Sequence, residues 1–193
     1  MGREFELKYA ADAAQHAALL AAYPGPWLQT VMETPYYDTP DGALSARHIT
    51  LRRRMENGVS VCTVKTPAPG GARGEWECRC DAIRDAIPEL CKLGAPQALL
   101  AWASGELVPI CGARFLRQAQ TLELEACTVV LALDAGRLLG GGREQPLCEV
   151  EVELKSGGES AAVTFATALS TRFALKTEKK SKFRRALALA KGE

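Results

Sequence analysis

The run Glu149-Val150-Glu151-Val152-Glu153-Leu154-Lys155 changes character at every residue, charged and then apolar. A helix would scatter these charges around its circumference. An extended strand instead collects them on one face and leaves the apolar residues on the other. The same period of two opens the chain, where Glu4, Glu6 and Lys8 alternate with Phe5 and Leu7. Like charges side by side on one strand face repel, and a facing basic strand or a bound cation offsets that cost. Basic runs lie between the two acidic ones, at Leu51-Arg52-Arg53-Arg54 and Thr63-Val64-Lys65. Arg52 and Arg54 share a face by parity, and Arg53 should point away. Two arrangements satisfy the pattern: a two-layer sheet with its charged faces in water, or a closed barrel whose charged faces meet across a lumen. Carboxylate triplets favour the lumen, because an exposed sheet face normally mixes Thr, Ser, Gln and Lys. The basic strands suggest that any cations accompany a polyanion.

Composition removes several classes of function. With 24 Lys and Arg against 23 Asp and Glu, the formal net charge is only +1. A general binder of nucleic acid or membrane surface needs a positive surplus, so neither is expected as a partner. No stretch approaches the roughly 20 apolar residues that span a bilayer. Arg3, Glu4 and Glu6 stand where a secretory signal would carry its apolar run, so a cytoplasmic location is expected. The seven cysteines are scattered, none in a Cys-x-x-Cys pair, and only His16 and His48 could join them. Neither a zinc site nor a disulfide framework is expected; the thiols read as small buried hydrophobes.

Strands are expected over residues 3–10, about 46–55, 59–66 and 74–81, then 108–119, 121–134 and 144–156. Asn57-Gly58 reads as a tight hairpin turn, since both residues tolerate positive φ. Gly70-Gly71, Asp134-Ala135-Gly136 and Gly140-Gly141-Gly142 read as further turns. Helices are expected over 13–22 behind an Asp12 cap, once or twice within 81–104, and over 160–171 and 181–191. With 47% apolar residues and no visible linker, the 193 residues are expected to form a single α+β domain.

Together these runs resemble the CYTH family, the triphosphate tunnel metalloenzymes. Glu4-Phe5-Glu6-Leu7-Lys8 matches that family's Glu-x-Glu-x-Lys signature, and Tyr36-Tyr37-Asp38-Thr39-Pro40 looks like its Tyr-Phe-Asp-Thr-Pro segment. Leu51-Arg52-Arg53-Arg54, Thr63-Val64-Lys65 and Arg73-Gly74-Glu75-Trp76-Glu77 follow in the family order. Then come Arg117, Leu133-Asp134-Ala135-Gly136, the Glu149-x-Glu151-x-Glu153 strand, and Ser181-Lys182 with Arg185. Two departures stand out. Val130 replaces a glutamate that many relatives carry, with Glu123 or Glu125 as possible substitutes, and no glycine follows Arg185.

The resemblance implies a closed antiparallel β-barrel of about eight strands, forming a charged tunnel with peripheral helices. It implies Mg²⁺ or Mn²⁺ held by Glu4, Glu6, Asp134, Glu149 and Glu151, with Glu153 as a second choice; oxygen donors without a His or Cys cluster agree. Lys8, Arg52, Arg54, Lys65, Arg117, Lys182 and Arg185 would bind a small polyphosphate, and Arg73 is a further candidate. Glu6, Lys8, Arg52 and Arg54 are the implied catalytic set. Length and the Glu-x-Glu-x-Glu strand are nearest to bacterial inorganic triphosphatases. Relatives act on thiamine triphosphate or nucleoside triphosphates, or cyclise ATP as class IV adenylate cyclases; a polyphosphate-binding module without turnover is the remaining alternative. Trp27, Tyr36 and Tyr37 are candidate platforms for an organic group. The chain ends near the Ser-Lys element, so it is expected to act without a further C-terminal domain, as a monomer or homodimer.

Overall fold

Asn57 and Gly58 take φ angles of 48° and 87° in the computed structural model, a turn that folds β3 (Thr50–Glu56) directly onto β4 (Val59–Pro67). The structure describes residues 5–67 and 73–193. Glu4 and the Gly70-Gly71 turn lie outside the described residues, as does the side chain of Arg73. The remaining strands are β1 (Glu6–Ala10), β2 (Leu28–Asp38), β5 (Arg73–Arg79), β6 (Val108–Glu123), β7 (Cys127–Gly140), β8 (Arg143–Gly157) and β9 (Lys176–Thr177). The helices are α1 (Ala13–Ala22), α2 (Ile83–Lys92), α3 (Leu99–Trp102), α4 (Glu159–Arg172) and α5 (Lys182–Lys191).

All neighbours pair antiparallel, in the order β5-β4-β3-β2-β6-β7-β8-β1-β9. The expected barrel closure is not confirmed. Among the described residues the sheet has nine strands and is not closed, with β5 and β9 as its edges. β9 is only two residues long, too short to zip onto the seven-residue β5. Instead the sheet curls, so that Glu6 and Lys8 of β1 line the same cavity as Lys65 of β4.

Two further expectations are revised. β2 was not foreseen, because Pro35 interrupts its pattern; the β2–β3 register pairs Glu33 with Met55 and resumes at Tyr36 with Arg52, and Pro35 sits in that gap. Asp134-Ala135-Gly136 is not a turn but the middle of β7, and the β6–β7 turn falls at residues 124–126. Gly136 is needed for close approach. A Cβ there would lie 2.1 Å from the Arg114 carbonyl oxygen and 2.5 Å from Phe115 Cα. The stretch 81–104 forms two helices, α2 and α3.

The apolar strand faces look outward and are roofed by helices, as the lumen reading requires. Leu19 of α1 and Ala162, Ala166 and Leu169 of α4 cover Val129, Leu131, Val150 and Val152. Helices α2 and α3 cover Leu51, Cys62 and Val64. α5 behaves differently, because it packs on the inward face, against Phe115, Leu138 and Leu147. Gly140 permits its close seat, since a Cβ there would lie 2.4 Å from the Ala186 carbonyl oxygen. Ser181 caps α5, its Oγ accepting from the Arg184 amide at 3.2 Å. The N-terminus of α5, with Ser181, Lys182 and Phe183, is thereby fixed at the cavity.

Candidate active site

Strand parity delivers the charged residues to one concave surface. Glu6, Lys8, Arg52, Arg54, Lys65, Arg117, Glu151, Glu153 and Lys182 all line one cavity. Arg53 faces away, where its Nη1 donates to the Asp81 carbonyl at 2.8 Å. Asp134 and Glu149 lie beneath the cavity floor at 0% exposure. Arg185 sits beside them, paired with Glu149 and, at 3.5 Å, with Glu178.

The acidic side is built from β7 and β8 and threaded with basic groups. Arg117 forks onto Asp134, with Nε and Nη2 each at 2.7 Å from a carboxylate oxygen, and Nη2 also reaches Glu151 at 2.5 Å. Lys182 Nζ stands 2.8 Å from Asp134 and 2.7 Å from Glu151, and also pairs with Glu149. Burial works against the Lys182 ammonium, but Glu151, Asp134 and Glu149 outweigh it and hold the amine above its ordinary range. Arg117 is raised in the same sense by Asp134 and Glu151, against burial. Burial alone would push the Glu151 carboxyl up, yet Lys182 and Arg117 prevail and hold it well below the ordinary range. Glu149 goes the other way: burial pushes it up and outweighs the opposing pull of Lys182 and Arg185.

The basic side, on β3 and β4, is less complete. Arg52 and Lys65 share Glu75 at 3.6 and 2.9 Å, and Arg54 pairs with Glu56. The Nε atoms of Arg52 and Arg54 are buried without a hydrogen-bond partner. Burial, together with neighbouring Arg52, lowers the Arg54 guanidinium from its usual value. Fixed like charges of this kind stabilise an arriving anion.

Glu75 was missed as a site residue, although its alternation with Glu77 on β5 was visible. Tyr36 and Phe115, whose rings line the cavity, carried no charge signal. Val130 finds no substitute in Glu123, which is exposed and accepts from the Thr128 hydroxyl at 2.6 Å, nor in exposed Glu125. The oxygens of Asp134, Glu149 and Glu151 come within 4.8 Å of one another, all from buried residues. Hard donors at that spacing fit a divalent ion such as Mg²⁺. Glu6 and Glu153 face each other directly across the β1–β8 ladder, a like-charge pair that a cation would also relieve.

The profile of the CYTH domain matches residues 2–187. The chain belongs to the CYTH family. An inorganic triphosphatase of Haemophilus influenzae is 32% identical over 124 residues, which are 63% of this chain and 35% of that relative. The matched region thus spans about a third of the relative's length. Among solved structures, a candidate adenylate cyclase from Bacillus halodurans superposes with a TM-score of 0.64 at 20% identity, covering 96% of this chain and 98% of its own. A candidate adenylyl cyclase from Hippeastrum, with a dominant triphosphatase activity, gives 0.65 at 18% identity, covering 98% and 96%. These likenesses show that the curled sheet is the CYTH fold. Among the described residues, no helix is long and apolar enough to cross a membrane.

Proposed function

We propose that this CYTH domain hydrolyses inorganic triphosphate to pyrophosphate and phosphate with the help of a divalent ion. One observation carries the reading: Arg52, Arg54 and Lys65 face Glu6, Glu151 and Glu153 across a single cavity. A pure anion binder gains nothing from a carboxylate wall. An ion assisted by carboxylates opposite a phosphate assisted by arginines uses both walls.

Arg52 and Arg54 fork onto phosphate oxygens, and Lys65 supplies a point charge beside them. Arg117 and Lys182 approach from the floor, and Arg185 supports Glu149 beneath it. Glu4, Glu6, Asp134, Glu149 and Glu151, with Glu153 at the margin, are the carboxylates that would hold Mg²⁺ or Mn²⁺. Held there, an ion would supply charge neutralisation at the phosphate oxygens and a lowered pKa for an attacking water. Lys8, 3.3 Å from Glu6, orients the terminal phosphate or that water.

Of the three candidate platforms, none is placed to hold an organic group. Tyr36 reaches the cavity but is 4% exposed and packs on Phe183, ring centroids 5.1 Å apart. Trp27 donates to the Tyr23 carbonyl and packs on the outer core, and Tyr37 belongs to the cluster under α2. The reading includes a reducing, cytoplasmic setting, which suits seven free thiols.

The test is to incubate the protein with tripolyphosphate, ATP and thiamine triphosphate, each with Mg²⁺, with Mn²⁺ and with chelator, and to identify the products. Phosphate released from tripolyphosphate far faster than from ATP supports the proposal. Cyclic AMP as the main product, or tight metal-independent binding without turnover, replaces it.

A further inference from the structure

The three carboxylates that fit a divalent ion already hold a cation of the chain's own. Lys182 Nζ contacts Asp134 Oδ2, Glu149 Oε2 and Glu151 Oε1 at once. The opposite oxygens are taken by Arg117, on Asp134 Oδ1 and Glu151 Oε2, and by Arg185, on Glu149 Oε1. Every oxygen of the three groups therefore lies in ion-pair contact with a cation of the chain, although Glu149 Oε2 makes no hydrogen bond, and three carboxylates meet three cations. A divalent ion added to this arrangement would leave two surplus positive charges in a desolvated place, which is strongly unfavourable.

Of the three cations, Lys182 is the one able to leave. Arg117 is forked onto two carboxylates, and Arg185 is braced by Glu149 and Glu178. The Lys182 ammonium ends a flexible four-carbon stem at the first turn of α5, and its residue already lines the cavity. Phe115 marks the way out: its ring lines the same cavity and lies 5.3 Å from Lys182 Nζ, a cation–π contact that supports the ammonium as it moves.

We propose that Lys182 is the resident cation of the Asp134–Glu149–Glu151 pocket, and that a divalent ion takes that pocket by exchange with its ammonium, which then turns toward the phosphate cavity. This rests on the triphosphatase reading for its purpose. Each arriving ion converts a buried ion-pair partner into a phosphate ligand, so ion and triphosphate bind with positive coupling.

The test is made without any phosphate. Free Mn²⁺ is followed by electron paramagnetic resonance during titration of chelator-treated wild type and Lys182→Met. Removing the competitor should tighten Mn²⁺ binding by about tenfold or more; equal or weaker binding by the variant overturns the exchange. A second measurement uses wild type alone, in case the variant does not fold. Reductive methylation read by mass spectrometry should find Lys182 protected in chelator and several-fold more reactive in saturating Mn²⁺, with exposed Lys92 unchanged as the internal control. Equal protection in both conditions overturns the proposal. Failure here leaves tripolyphosphate hydrolysis untouched, whereas exchange in a protein that hydrolyses no triphosphate removes only the proposed function.

Discussion

The two walls of the cavity are made by the same device, strands that alternate charged and apolar residues, yet they end in opposite electrostatic states. On the acidic wall, Asp134, Glu149 and Glu151 are each ion-paired with Arg117, Lys182 or Arg185, which come from β6 and α5 rather than from a facing strand, although Glu149 Oε2 and Arg185 Nε make no hydrogen bond. On the basic wall, Arg52 and Lys65 share one carboxylate, and the Nε atoms of Arg52 and Arg54 have no partner. The first wall is a network of three carboxylates against three cations, whose loss should cost stability. The second has fewer carboxylates within reach of Arg52 and Arg54, so its loss should cost binding and turnover while leaving the fold alone.

The largest effect expected is on the acidic wall. Glu149→Ala takes one of three carboxylates from Lys182, leaves Arg185 with the more distant Glu178 alone, and should lower the unfolding free energy by about 3–5 kcal/mol in ion-free protein. Urea denaturation measures this, and a loss below about 1 kcal/mol would mean that the network is not structural. On the basic wall, Arg52→Ala or Arg54→Ala should slow phosphate release from tripolyphosphate by roughly 100- to 1,000-fold, with little change in the urea midpoint. A variant that unfolds early but keeps its turnover would reverse the assignment of the two walls. Glu6→Gln, at the margin between them, should reduce turnover by about two orders of magnitude if it helps to hold an ion. An unchanged rate removes it from the site.

A smaller difference should appear with pH. The folded Glu151 carboxyl lies well below the ordinary value of 4.5, so its contribution to stability is fully present above that value and fades as pH falls through the folded one. Ion-free wild type should therefore lose stability from about pH 5 downward more steeply than Glu151→Gln. Parallel curves for the two proteins would show that the pairing does not lower this carboxyl. Smallest of all, Arg53→Ala, whose side chain faces away from the cavity, should alter turnover less than twofold and stability by about 0.5 kcal/mol or less. A loss of turnover comparable to that of Arg52→Ala would mean that the parity of β3 does not divide its arginines.

Much of this was legible in the sequence because strand parity is local. Period two placed Arg52 with Arg54, Glu149 with Glu151, and Glu6 with Lys8, and the Asn57-Gly58 turn set the β3–β4 register without long-range information. What escaped depends on the third dimension. Gly136 reads as a turn residue, yet it serves the close approach of β7 to β6, a distance that no local pattern reports. β2 was hidden by Pro35, which a strand tolerates only where a ladder bond is already missing. Asp38 belongs to a recognisable motif, but its carboxylate accepts the amides of Thr39, Leu44 and Ser45 and builds a loop away from the cavity. The docking of α5 onto the inward sheet face was also invisible, and with it the fact that Lys182 and Arg185 complete the acidic wall.

The central claim, that one wall serves a divalent ion and the other a triphosphate, is tested most directly by phosphate release from tripolyphosphate in Mn²⁺, in chelator, and after chelated protein is resupplied with Mn²⁺. The account predicts rapid release with the ion, none in chelator, and full recovery on resupply. Release that continues undiminished in chelator would contradict it.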